Sequence, residues 1–528
     1  MPRWSRTIVA LLAGVVVAGG CGGTDAEPRS AGDGTPRSGG TLVVATAIEV
    51  APLDPNRQSY WETFRITRHI FEQLVTEDLS SSDGSPELVP GLATGWEVSD
   101  DAKTFTFTLR EGVTFHDGTP FDAEALHDNV RRYTDPAFEF YDEQSAGNLS
   151  SVYADLASSR VVDDHTYEYT FSRPFLDFPR RLAEGTQVSA VFSPAALREY
   201  GNDGLAEHPV GTGPYVFVER VDGEHVTIER NEDYWGDAPY LDTIIFRPIT
   251  NDQSRIAALE AGEVDIAPRT PADDAQRLLD AGFQLPEGTG AAINYLQFNF
   301  ENEFVRDVGV RRAFIQALDR DGLVEQVYGG YPTPAHSILN PGNEAYDPDA
   351  VDYEYDPEAA RQTLQDAGYE PGEISFTLVT AITNQSIAEW IQRDYAEVGI
   401  EVEIEALDSN AFLTRNANRT PDDALSFGDW GEVPASWLAK VYQFSVVARG
   451  GEEYVSQELK DALAAAQANA DESRRIDLWR QVDERFRDEA VVIPLLSLAP
   501  DYALAPHVQG FVFPQQNWYD LTSVWIDE

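Results

Sequence analysis

Eight histidines, at positions 69, 116, 127, 165, 208, 225, 336 and 507, are the first place to look for acid–base or metal chemistry. No two sit at the close spacing that presents a pair of imidazoles to one zinc ion, so no metal site is expected. Phe115-His116-Asp117-Gly118 sets an imidazole beside a carboxylate, which general acid–base catalysis could use. A turn at Asp-Gly after an alternating strand accounts for it better. Gly211-Thr212-Gly213-Pro214 is glycine-rich, but no helix pattern and no lysine follow, as a phosphate loop requires. The nucleophile-elbow, zinc-protease and nucleotide-loop words are all missing from the chain, and no cofactor is expected. Ninety carboxylates leave a secreted carboxylate-dependent hydrolase open as an alternative, although nothing marks one pair out.

The elements that would position any site come from 528 residues, enough for three or four structural units. With 42% hydrophobic residues, 10 Trp, 22 Tyr and 26 Phe, the chain can fill large cores and is not disordered. A formal net charge of −52 repels a polyphosphate backbone, which excludes nucleic-acid binding by charge neutralisation. The only lysines are Lys103, Lys440 and Lys460. Solubility in concentrated salt and a genome-wide compositional bias explain that acidity equally well.

The start of the chain is organised differently. Arg3 and Arg6 precede an uncharged apolar run, Ile8 to Ala18, followed by small residues up to Cys21. Residues 1–20 therefore read as a secretory signal peptide, too short to span a membrane as a helix. Cys21 is the only cysteine, so no intrachain disulfide can form. Residues 21–40 are rich in Gly, Ser, Pro and Thr and read as a flexible tether, whose last nineteen residues span about 25 Å. No later segment approaches 18 uninterrupted apolar residues.

From Thr41 onward strand and helix periods alternate. Strands are expected at Leu42–Ala47, Lys103–Arg110 and Tyr167–Phe171, and a hairpin at Tyr215–Arg220 and His225–Arg230 around Asp222-Gly223. Helices are expected at Ile66–Val75, from Pro120 with Thr119 as its cap, and around Val310–Leu318. Ile374–Thr380, Ile387–Val398 and Ile400–Leu407 read as strand, helix and strand, with Gly399 as the helix stop. That is a βαβ unit and places the chain in the α/β class.

A family resemblance rests on word order. Gly39-Gly40-Thr41-Leu42, Leu53-Asp54-Pro55, Leu88 to Ala93 with Trp96 to Ser99, Phe107 to Phe121, Val210 to Tyr215, Asn231 to Trp235, Val310 to Ala313, Leu318-Asp319-Arg320, Tyr355-Asp356-Pro357 and Ala367-Gly368 follow in order across residues 39 to 500. Together they resemble bacterial extracellular solute-binding proteins of family 5, the peptide and nickel class serving ABC importers. Cys21 after Ala18-Gly19-Gly20 resembles the lipobox of bacterial lipoproteins, with Ala18 where Leu is usual; cleavage by the ordinary signal peptidase is the alternative.

The resemblance implies a two-lobed, periplasmic-binding-protein type II-like α/β fold with an extra subdomain in the larger lobe. The larger lobe would span 41–291 (41–62 plus 160–291, and 63–159), the inserted smaller lobe 292–493, and 494–528 would return. It implies a binding protein rather than an enzyme, monomeric, lipid-anchored at the outer face of the cytoplasmic membrane and partnered by permease subunits. The ligand would be an oligopeptide or dipeptide, with a sugar or metal chelate as alternatives. In peptide-binding members an acid in a Gly-Trp-x-x-Asp segment meets the ligand's ammonium group. Here the segment is Gly428 to Pro434, which makes Glu432 the candidate by position and Asp429 the second choice, although the tryptophan is displaced by one residue. Trp430 and Trp437 could stack on a ligand or pack in a core, and Arg415 matches a ligand-contacting position or lies on the surface. Asn56, Gln58, Tyr60 and Trp61 follow the first strand, where α/β loops meet ligands.

Overall fold

The computed structural model describes residues 35–527 except 59–60, 81–85, 186, 188, 286–291, 331, 351–352, 431–433, 470, 499–501 and 513–517. The signal segment, Cys21, Tyr60 and Glu432 lie outside the described residues. The expected βαβ unit is present: Ser375–Ala381 and Glu401–Leu407 pair in parallel across the helix Gln385–Glu397. Phe376, Leu378, Ile391 and Tyr395 share one core, which is why the helix turns back over the strands. Gly399 ends the turn with φ 84°, a left-handed value that glycine adopts without strain.

Two six-stranded mixed sheets carry the molecule. The first runs in the order Ala503–Leu504, Ile266–Ala267, Thr41–Thr46, Thr243–Pro248, His225–Arg230, Tyr215–Val221. The second runs Thr333–Pro334, Val492–Leu498, Ala292–Phe298, Leu425–Trp430, Ser375–Ala381, Glu401–Leu407. Each packs on its own buried cluster, and a further cluster centred on Trp437, Val441 and Trp479 involves Ile293 and Tyr295 of the second sheet. The chain passes between the sheets twice. Gln284 exchanges two backbone hydrogen bonds with Leu504, at 2.9 and 2.8 Å, and Ala292 lies opposite Leu498 in the other sheet, so the described ends of the two passages are neighbours in each sheet.

A four-stranded antiparallel sheet, ordered Ala93–Val98, Thr104–Leu109, Thr166–Phe171, Leu156–Asp163, builds a third body with an aromatic core. Its last two strands and Phe178, Leu182 and Val191 pack with residues 74–153, so this body continues past the expected edge at 159. Val492–Leu498 likewise carries the second sheet past the expected edge at 493, because Ile493, Leu495 and Leu496 fill its core. Two helix expectations differ. The first helix is Trp61–Thr67, with Val75 already in a strand, since the apolar run Ile70, Phe71 and Leu74 is buried as connecting chain. The second helix starts at Ala123, where Asp122 accepts the Ala125 N–H, while Pro120 bridges to Thr114. Among the described residues no helix is long and apolar enough to cross a membrane.

Candidate functional site: the junction of the two lobes

The word Val210 to Tyr215 shows how the first lobe is held. A Cβ at Gly211 would sit 2.0 Å from the Ile70 carbonyl oxygen and one at Gly213 2.6 Å from that of His69, so only glycine allows this approach. Gly213 and Tyr215 donate their N–H groups to Ile70 and His69 at 2.9 Å each, and the His116 side chain closes the packing through Nε2 on the Gly213 oxygen at 3.0 Å. The histidine beside Asp117 is thus part of a turn.

On the same lobe, Asp54 caps the short turn at Pro55 and pairs with the buried Arg132. Asn56 is absorbed into this lattice: its Nδ2 donates to the Gln187 oxygen at 3.3 Å and its oxygen accepts from Asn148 at 3.0 Å. Gln58 is half-buried and ends the turn through its backbone. Trp61 opens the first helix and stacks on Trp518, ring centres 5.5 Å apart and 19° from parallel. Trp518 donates its indole N–H to Glu77 at 3.0 Å, and its ring lies against Gly185, where a Cβ would come within 2.1 Å of it. Trp61, Trp518 and Gly185 form one aromatic layer, and Glu184 adjoins it.

Glu184 reaches the other lobe. Its Oε2 accepts from Lys440 Nζ at 3.0 Å, joining the chain after the helix Phe178–Ala183 to the helix Trp437–Ser445 across 256 residues. Burial pushes the Glu184 carboxyl up, against the pull of Arg181 and Arg180. Seven residues earlier, burial also raises Asp177, opposed by Arg475 of the second-lobe helix Glu472–Asp488 and by Arg180 and Arg181. Two acids of one lobe thus face Lys440 and Arg475 of the other, an arrangement whose energy depends on the lobes being together.

In the second lobe, Asp429 and Trp430 end the strand Leu425–Trp430, opposite Asn294 and Ile293; only their backbone is described. Trp437 is buried in the second-lobe cluster with Leu438 and Val441. Arg415 makes a two-pronged pair with Asp423, both contacts 2.7 Å, and a third with Glu405 at 3.2 Å. Burial opposes ionisation of Asp423, and the bonds from Arg415 and Thr420 outweigh it, holding that carboxyl below its usual range. Asn294 Oδ1 and Ser497 Oγ are buried without a partner on the two strands that lead into the passages.

Of the residues expected from sequence, the structure groups Trp61 with the junction, sets Asn56 in the framework behind it and places Arg415 on the second lobe in ion pairs of its own. Sequence reasoning missed Trp518, Glu184 and Lys440. The scarcity of lysine was the one available signal, since a protein with three lysines that buries one against a carboxylate uses it for that contact.

Comparisons agree with this architecture. The family model described as bacterial extracellular solute-binding proteins, family 5, middle part, matches residues 87–446. The chain is 31% identical over 491 residues to the glutathione-binding protein GsiB of Salmonella paratyphi A, covering 89% of this chain and 91% of the relative. It is 29% identical over 462 residues to the dipeptide-binding protein of Escherichia coli, covering 81% and 84%. Among solved structures, the ABC transporter-associated periplasmic binding protein DppA of Helicobacter pylori, in complex with the peptide STSA, superposes with a TM-score of 0.81 at 24% identity, covering 93% of this chain and 99% of that one. With sheets, passages and family words in one order, the chain belongs to the bacterial extracellular solute-binding proteins of family 5.

Proposed function

We propose that this protein is the extracytoplasmic substrate-binding component of an ABC importer and that it captures a peptide-like solute carrying a free amine between its lobes. The observation that carries this reading is the Lys440–Glu184 contact beside the Trp61–Trp518 layer. Contacts made to both lobes only when they are together let a ligand shift the population toward closure. The relatives named for dipeptide and glutathione point to the solute class. The ammonium end meets an acid of the segment from Gly428 to Pro434, Glu432 first and Asp429 second, because a charge-assisted hydrogen bond is strengthened in a dry cleft. The protein releases its ligand unchanged, so it is not an enzyme. Cys21 carries the lipid anchor, and residues 22–40 tether a monomeric body near the permease. Calorimetric titration with dipeptides, tetrapeptides and glutathione, set against sugars and metal chelates, tests the reading: saturable binding without turnover for the amines supports it, and hydrolysis or binding of sugars alone overturns it.

A further inference from the structure

A second site stands out in the smaller lobe, within a single cavity lined by Arg415, Arg419, Arg449, Asp423, Asn416 and Ser426. Arg449 is only 5% exposed. Its Nε donates to the Phe444 oxygen at 3.2 Å and its Nη2 to Gln297, but its Nη1 is buried with no partner. Ser426 Oγ and Asn416 Oδ1 are buried without partners as well.

The charges around this cavity do not balance. Asp423 is spent on Arg415 and on the Thr420 N–H at 2.6 Å, and Glu405 also goes to Arg415. Among the described residues Arg419 bonds to main-chain oxygens, those of Asn416 at 3.0 Å and Ala448 at 2.6 Å. Among the described residues no carboxylate pairs with Arg419 or Arg449. The cavity lining therefore carries three guanidinium groups and one carboxylate, Asp423, which is already paired with Arg415, in a chain whose overall balance is −52. Burial pushes the Arg449 guanidinium down to about 9, and Arg419 pushes the same way. An uncompensated buried cation is costly, and the usual remedy is a partner of opposite charge.

We propose that this cavity holds one small monovalent anion of the chloride class, bound by Arg449 Nη1 and Ser426 Oγ, with the Asn416 carboxamide turned to donate. The cavity is small, about 10 Å³, and admits a single atom-sized occupant. Water would satisfy the donors but leave the charge unbalanced. The anion would lock Arg449 to Gln297 and, through Gln297 Nε2 on the Tyr295 hydroxyl at 3.1 Å, brace the central strand of the lobe. Nothing in this inference depends on which solute the cleft binds.

The test uses the whole chain without added solute. Crystals grown with bromide in place of chloride should show anomalous density in the cavity next to Arg449 Nη1. In solution, the melting temperature should rise saturably with chloride at constant ionic strength balanced by gluconate, and Ser426→Ala should move the half-point about fivefold higher, the worth of one hydrogen bond. Arg449→Gln should abolish the chloride response; if that variant does not fold, the bromide experiment on the natural chain decides. Absence of anomalous density overturns the proposal. Density accompanied by equal melting in chloride and gluconate marks an adventitious ion only and overturns it too.

Discussion

The two lobes meet their junction with different chemistry. On the first lobe, Asp54, Arg132, Asn56 and Gln187 are bound to one another in a buried network, and Trp61 and Trp518 are stacked beside Gly185. On the second lobe, Asn294 and Ser497 keep buried polar atoms without partners on the strands Ala292–Phe298 and Val492–Leu498, and the segment from Gly428 to Pro434 starts inside the strand Leu425–Trp430. An aromatic layer offers a ligand a shaped apolar face, whereas polar atoms without partners gain hydrogen bonds when one arrives. If the solute binds as proposed, the first lobe contributes an aromatic face and the second the charged and polar contacts, with Lys440 reporting closure.

That division can be broken from either side. The largest effect is expected in the second lobe: Glu432→Gln, or Asp429→Asn if that acid is the anchor, leaves the ligand's cation unpaired. Such losses cost on the order of 2 to 5 kcal/mol, roughly thirtyfold or more in affinity by calorimetry, with the unliganded melting temperature nearly unchanged. Lys440→Met comes next. It leaves Glu184 buried without its cross-lobe cation, so affinity should fall about tenfold through loss of the closed population, while solution scattering of the free protein shifts toward an open form. Equal affinity and equal scattering would detach that pair from closure.

In the first lobe, Gly185→Ala should lower the melting temperature, because a Cβ would come within 2.1 Å of Trp518 and overpacking costs about 1 to 3 kcal/mol. A variant that melts like the natural protein would show that the aromatic layer is loose. The smallest effect concerns Glu72, whose carboxyl burial pushes up to about 7 despite hydrogen bonds from Trp235 at 2.7 Å and Tyr234 at 2.8 Å. Its folded pKa exceeds the unfolded one, so the native state holds the proton more tightly and stability falls as pH rises from about 4.5 to 7. Glu72→Gln should flatten that part of the melting-temperature profile by on the order of 1 kcal/mol. A parallel profile would contradict the assignment.

Local patterns carried much of the fold. Alternation at Phe105, Phe107 and Leu109 marked a one-face-buried strand, and Gly399 with the Glu401 to Leu407 alternation marked the βαβ unit, because in both cases local period and tertiary burial agree. The same words that carried the resemblance turn out to be framework: Arg311 gathers main-chain oxygens of Val305, Arg306 and Glu489, and Arg320 those of Ala335 and Pro494. The helix expected at Ile66–Val75 failed because a buried connection is as apolar as a buried helix. The site was less legible. Trp61 follows a strand in sequence, but its partner Trp518 lies 457 residues away, and nothing local couples Glu184 to Lys440. Cross-lobe contacts are made by tertiary folding alone.

The most direct test titrates the natural protein with a dipeptide and with the same dipeptide acetylated at its amine. If the second lobe supplies an acid for the ligand's ammonium group, the free peptide binds saturably and acetylation weakens binding at least thirtyfold. Equal affinity for the two, or binding of neither while a neutral or anionic solute binds, would contradict amine capture between the lobes.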